Sequence, residues 1–272
     1  MIKNNKWIKW IPNFLTVCNS LCGFAAILYT LNVYENPKEP APVFAISCWI
    51  ILFAMIFDAL DGFTARILNA ASLQGLQMDS LSDMVTFGVA PAVVVAIMAH
   101  CLRDLNKVGY YFVWTMCAVF IGCAAYRLAK YNIHAILEKK KSSLFSGLPT
   151  PGAAAGICSL VIYYSLENIK FQGVIEIIPA YTGLLGLLMV SNIRYIHAGK
   201  WLQSAKRNPI KIFFILSIAI SIFIRPAPII IFLINFYILS GPIGEVLDRF
   251  FHIKLLTPDF DITPIINNEV KK

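Results

Sequence analysis

Residues 58–83 read DALDGFTARILNAASLQGLQMDSLSD, and four aspartates fall within them. Asp58 and Asp61 stand three positions apart, Asp79 and Asp83 four apart. On α-helices each spacing brings both carboxylates onto one face. Between the pairs runs ARILNAASLQG, whose small residues and Gly75 suit a turn or a close helix approach. The simplest geometry is a helical hairpin with its two acidic faces opposed. The rest of the chain makes this gathering unusual, because only 14% of its residues are charged and 58% are hydrophobic.

The surroundings are membrane-like. A mean hydropathy of +0.69 over 272 residues argues against a soluble protein. A transmembrane helix needs roughly 20 mostly apolar residues to cross about 30 Å of hydrocarbon. Eight stretches qualify, near 14–33, 43–66, 84–101, 110–128, 149–164, 175–192, 211–224 and 226–243. The last two are either separate spans or one kinked span, because IRPAPI at 224–229 suits a turn or a kink. The expectation is an all-α polytopic bundle of six core spans with two more, both termini on one side. Its division is an interfacial segment at 1–13, a catalytic membrane domain at 14–248 and a polar tail at 249–272.

Charge orients the bundle. With eight spans, 18 of the 23 Lys and Arg residues collect on one side, including Lys3, Lys6, Lys9, Arg66 and the segments 127–141 and 194–211. Positive charge marks the cytoplasmic side. The expected location is therefore the cell's inner, cytoplasmic membrane, with termini and acidic cluster facing the cytoplasm. The net charge of +8 needs no nucleic acid, since basic loops beside anionic headgroups explain it. Trp7 and Trp10 alternate with lysines before the first span, so residues 1–13 read as a retained segment lying on the membrane rather than a cleaved leader.

Seven cysteines and four scattered histidines show no zinc spacing, and the cysteines read as small apolar packing residues. DALDGF lacks the alternating acids and closing Glu of an EF-hand, and no P-loop is present.

Four anions so close repel one another, and keeping them charged near hydrocarbon is expensive. Divalent cations bound by oxygen remove both penalties. Inward-facing helix carboxylates hold two-metal sites in helical bundles, and hard ligands without His or Cys favour Mg²⁺ or Mn²⁺. Mg²⁺ in turn commonly works on substrate phosphates. Two other readings stand beside this one: solvated helix caps, and an acid-lined path for cation transport.

The segment also matches, at every fixed position, the pattern D-x2-D-G-x2-A-R-x8-G-x3-D-x3-D of the CDP-alcohol phosphatidyltransferases, through Asp58, Asp61, Gly62, Ala65, Arg66, Gly75, Asp79 and Asp83. The chain thus resembles that family. The resemblance implies a membrane enzyme with two divalent cations, Asp58, Asp61 and Asp79 holding metal, and Asp83 holding the second metal and acting as general base. It implies that Gly62, Ala65, Arg66 and Ser72 contact the CDP-lipid. Asn13 and Thr16 either contact the cytidine or cap a helix. A homodimer is implied by the family alone.

PNFLTVCNSLCG (12–23), YRLAKYN (126–132), FSGLPTPGAA (145–154) and LMVSNIRY (188–195) are similar to the phosphatidylserine synthase branch. Lys130 and Tyr131 depart from the more usual Arg and Phe, and Gly152 from Ala. The branch implies transfer of a phosphatidyl group from CDP-diacylglycerol to L-serine, with glycerol-3-phosphate or inositol phosphate as the alternative acceptor. A serine carboxylate needs a cation or a helix N-terminus, and its ammonium needs oxygens. Arg127, Asn132, Ser146 and Arg194 are the candidates for that contact, all on the cytoplasmic side with the aspartates.

Overall fold

The computed structural model describes residues 10–35, 37, 39–68, 72–102, 107–137, 147–166, 172–193, 195 and 226–251. Lys3, Lys6, Trp7, Lys9, Ser146, Arg194, the 211–224 stretch and most of the C-terminal tail lie outside these residues. Among the described residues there is no strand. Helices α1 (Trp10–Leu31), α2 (Pro40–Ile67), α3 (Leu73–Asp83), α4 (Ala90–Leu102), α5 (Lys107–Leu137), α6 (Thr150–Leu166), α7 (Gln172–Val190) and α8 (Pro226–Phe251) follow in order.

Four helical runs are long and apolar enough to cross a membrane: Trp10–Tyr34, Pro40–Ile67, Leu73–Leu102 and Gly109–Ile133. Shorter apolar helices cover Ile177–Val190 and Ile231–Val246. The molecule is a polytopic membrane helix bundle. The third run differs from the expected span at 84–101: it begins eleven residues earlier, at Leu73, so Asp79 and Asp83 belong to the same continuous helical run.

Helix α1 shows why the bundle belongs in lipid. Phe14, Val17, Leu21, Phe24 and Leu28 are exposed, whereas Thr16, Asn19, Gly23, Ala26 and Thr30 are buried. Both sets recur at three- and four-residue spacing, so they are opposite faces of one helix. The large apolar side chains point outward and the small or polar ones inward. That is the arrangement expected where the surrounding solvent is hydrocarbon and helices meet through small residues and hydrogen bonds.

The inward faces fit closely. A Cβ at Gly23 would lie 2.7 Å from the Thr86 Cα, and one at Gly186 2.8 Å from the Phe120 Cα. Thr30 donates to Ser47 Oγ at 2.9 Å, joining α1 to α2 within the core. The core continues through Phe44, Ile51, Phe87, Phe120, Ile157 and Leu185, all fully buried.

Two local devices position the acidic segment. Ser72 starts α3 as its N-cap, its Oγ accepting from the Gly75 N–H at 3.0 Å. Just after Asp83 the helix widens into a π-turn over Met84–Val89, where the Ala90 N–H donates to the Val85 carbonyl, five residues back. Pro91 follows. Its ring cannot lie against the carbonyl four residues earlier and it offers no N–H, and a wider turn accommodates both defects. Such single π-turns recur at functional sites.

A second layer is pinned by loop and side-chain hydrogen bonds. Gly147 has a φ of +86°. Its N–H donates to the Ile193 carbonyl at 2.8 Å, and a Cβ there would strike the Met189 carbonyl oxygen. Only glycine fits this approach, which sets the start of α6 against the end of α7. Helix α8 is held by Asn235, which donates to Ser159 Oγ at 3.1 Å and accepts from the Tyr181 hydroxyl at 2.8 Å.

Candidate metal centre and active site

Asp58 and Asp61 sit in the last turns of α2, Asp79 and Asp83 at the end of α3. The two acidic faces converge as the spacing leads one to expect. One carboxylate oxygen from each of Asp58, Asp61 and Asp79 lies within 4.8 Å of the others. Asp83 joins them, its carboxyl within hydrogen-bonding reach of Asp58. Asp61 and Asp83 are buried, and Asp58 and Asp79 half-buried.

Helix α1 braces these acids from one side. Thr16 Oγ1 donates to Asp61 Oδ2 at 2.7 Å and also lies 3.0 Å from the Pro12 carbonyl. One turn on, Asn19 Nδ2 donates to Asp83 Oδ1 at 3.4 Å. The brace is reciprocal: Ser82 donates to the Thr16 carbonyl and Thr86 to the Asn19 carbonyl, each at 2.9 Å. On the opposite side, Ser80 donates to Asn132 Oδ1 of α5 at 2.9 Å. Each acidic pair therefore receives a hydrogen bond from α1, and α5 holds α3 through Ser80.

The donor set fits a divalent cation. Its atoms are carboxylate oxygens, hard and anionic, converging from two helices with neither histidine nor cysteine among them. Among the described residues no ion pair neutralises the cluster, so its summed charge calls for a cation.

The remaining candidates divide. Gly62 follows Asp61 directly, and a Cβ placed there would meet nothing within 4 Å. The space beside the acids is open on that side. Arg66, exposed, folds back so that its Nε donates to the Gly62 carbonyl at 2.9 Å, and Ala65 is half-buried beside it. Asn13 approaches the start of α3, its Oδ1 3.4 Å from where a Cβ of Gly75 would stand. Asn13 and Ser72 thus flank one helix start, Ser72 as its cap. Thr16 is turned to Asp61 rather than outward.

Arg127 reaches the site from α5. Its electrostatic partners are Tyr237, Asp83 and Tyr131, and its Nε is buried without a hydrogen-bond partner among the described residues. Asn132 is engaged by Ser80. Ser146 and Arg194 lie outside the described residues.

The bracing residues Asn19, Ser80, Ser82 and Thr86 were not singled out as site residues. A signal for them exists in retrospect: polar side chains at three- and four-residue intervals inside apolar runs, Thr16–Asn19 on α1 and Ser82–Thr86 on the facing run. Polar groups within a span are costly unless paired, so their recurrence on one face points to a shared polar centre.

Comparison with known proteins agrees with this geometry. The CDP-alcohol phosphatidyltransferase family model matches residues 9–185, the stretch containing all four acids and their braces. A CDP-diacylglycerol–serine O-phosphatidyltransferase from Helicobacter pylori (strain ATCC 700392 / 26695) is 31% identical over 231 residues, covering 85% of this chain and 88% of the relative. One from Bacillus subtilis (strain 168) is 34% identical over 206 residues, covering 74% of this chain and 100% of the relative. The archaetidylserine synthase of Methanothermobacter thermautotrophicus is 30% identical over 190 residues, with 68% and 69% covered. The residues matched and the extent of these similarities place the chain in the CDP-alcohol phosphatidyltransferase family.

Proposed function

We propose that the protein transfers the phosphatidyl group of CDP-diacylglycerol to the hydroxyl of L-serine, giving phosphatidylserine and CMP. The observation that carries this reading is the convergence of the aspartate oxygens within 4.8 Å beside the open face at Gly62. Asp58, Asp61 and Asp79 would hold metal, with Asp83 contributing to a second ion, Mg²⁺ or Mn²⁺ in both places. When bound, such ions neutralise the pyrophosphate oxygens and the charge that develops on them.

The chain's own residues supply the rest. Asp83 is the general base, taking the proton of the serine hydroxyl as its oxygen attacks the phosphorus attached to diacylglycerol. The bond from that phosphorus to the CMP oxygen breaks, and CMP departs with the electron pair. No covalent enzyme intermediate is needed. Gly62 lets the nucleotide approach the backbone, and Arg66, freed from the Gly62 carbonyl, can make a charge-assisted contact to phosphate. Ala65, Ser72 and Asn13 line the same CDP-lipid side, and Thr16 serves it indirectly by holding Asp61. Arg127 and Asn132 face the acceptor side; Ser146 and Arg194, candidates for the same contact from the sequence, lie outside the described residues.

The names of the relatives favour serine over glycerol-3-phosphate or inositol phosphate, since the bacterial ones are named for serine and the archaeal one for a serine lipid. The Lys and Arg distribution supports a site facing the cytoplasm at the inner membrane. Homodimeric assembly is carried over from the family resemblance.

The test is an acceptor panel. Purified protein in mixed micelles with CDP-diacylglycerol and Mn²⁺ is given labelled L-serine, glycerol-3-phosphate or inositol phosphate in turn. Serine-dependent CMP release with an equal yield of labelled lipid is expected. Lipid product from another alcohol but not from serine would reject the assignment.

A further inference from the structure

Helix α8 lies beyond the residues that the family model matches, yet it reaches the acceptor side of the site. Its Tyr237 is an electrostatic neighbour of Arg127, and Asp83 is another. The guanidinium thus interacts with both the proposed base and α8. Packing holds Tyr237 in place. Its ring tilts against Tyr195 at 5.8 Å between centroids. A Cβ at Gly152, in the first turn of α6, would also lie in van der Waals contact with it at 3.7 Å. Tyr195 is itself locked, lying so close over Gly241 that a Cβ there would come within 2.5 Å, and its hydroxyl donates to the Ile238 carbonyl.

Two polar groups at this place are unspent. The Arg127 Nε is buried without a hydrogen-bond partner among the described residues. The Tyr237 hydroxyl makes no hydrogen bond among the described residues. A buried donor left unmade is costly, so a guanidinium and a phenol placed together with free donors suit an anion that arrives from outside. A carboxylate matches, because it accepts from both at once. An amino acid bearing a hydroxyl carries its carboxylate only a few bonds away, which fits one end at Asp83 and the other at Arg127.

We propose that Tyr237 of α8 completes, with Arg127, the pocket that receives the carboxylate of the amino-acid acceptor. Helix α8 is then a specificity element added to the catalytic core. This rests on the reading of Asp83 as base and serine as acceptor.

Tyr237→Phe keeps the ring and its contacts with Tyr195 and α6 but removes the hydroxyl. In the purified full-length protein, KM for L-serine should rise about tenfold, as expected for loss of one hydrogen bond to a charged group. The kcat, the KM for CDP-diacylglycerol and the thermal unfolding temperature should stay close to wild type. Serinol, with a CH2OH in place of the carboxylate, should compete equally well against both proteins. Tyr237→His, which restores a ring donor, should recover part of the serine affinity. An unchanged KM for serine, a fall in kcat alone, or serinol weakened as much as serine would overturn the proposal. Wild-type protein that makes no lipid from serine would instead refute the acceptor assignment, and the pocket with it.

Discussion

The Thr16 hydroxyl of α1 donates to Asp61 Oδ2 of α2 at 2.7 Å, across 45 positions of sequence. A helix with no acid of its own thereby sets the direction of a candidate metal ligand. Hydrogen bonds to ionised groups contribute about 1.5–3 kcal/mol, so this contact is strong enough to choose one carboxylate orientation. Thr16→Val should lower kcat/KM by about ten- to a hundredfold on that scale, and Thr16→Ser should restore most of it. Steady-state kinetics with saturating Mn²⁺ would check this. A fully active valine variant would mean that Asp61 needs no brace.

Asp83→Asn should reduce turnover by about two to four orders of magnitude, the usual contribution of a positioned general base. Binding of CDP-diacylglycerol, measured by equilibrium titration, should survive in large part. Binding lost as completely as turnover would contradict the assignment of Asp83 as base.

Gly62 and Gly23 should respond oppositely to a methyl group. At Gly62 a Cβ meets nothing within 4 Å, so Gly62→Ala should unfold at the wild-type temperature while raising KM for CDP-diacylglycerol. At Gly23 the Cβ would lie 2.7 Å from the Thr86 Cα. Overpacking of that kind costs about 1–3 kcal/mol, so Gly23→Ala should lower the unfolding temperature in detergent. Equal thermal behaviour of the two variants would refute this division.

Removal of divalent cations should abolish turnover. Dialysis against EDTA followed by return of Mg²⁺ or Mn²⁺ should restore it, whereas Ca²⁺, larger and looser in its coordination, should restore less. Full activity retained after chelation would exclude a metal role for the aspartates.

Much of this was legible in residues 58–83. Helical spacing gave the converging acidic faces of α2 and α3. Span positions followed from hydropathy, because apolar runs of bilayer length have few alternatives. The start of the third run was not legible from hydropathy: LQGLQMDSLSD is polar and falls outside the apolar span, yet it continues that run as α3 because Ser72 caps it and Ser80 and Ser82 bond to neighbouring helices. The braces Thr16 and Asn19 depend on which turn of α1 faces the acids, a property of packing rather than of local sequence. Tyr237 could not be linked to Arg127 from sequence, since 110 positions separate them and no spacing rule connects α5 with α8.

The most direct measurement is Mn²⁺ electron paramagnetic resonance on the purified protein with CDP-diacylglycerol present. Two Mn²⁺ ions per chain, magnetically coupled and reduced to one or none in Asp58→Asn and Asp79→Asn, are predicted. Absence of specific Mn²⁺, or a signal indifferent to both substitutions, would contradict the account.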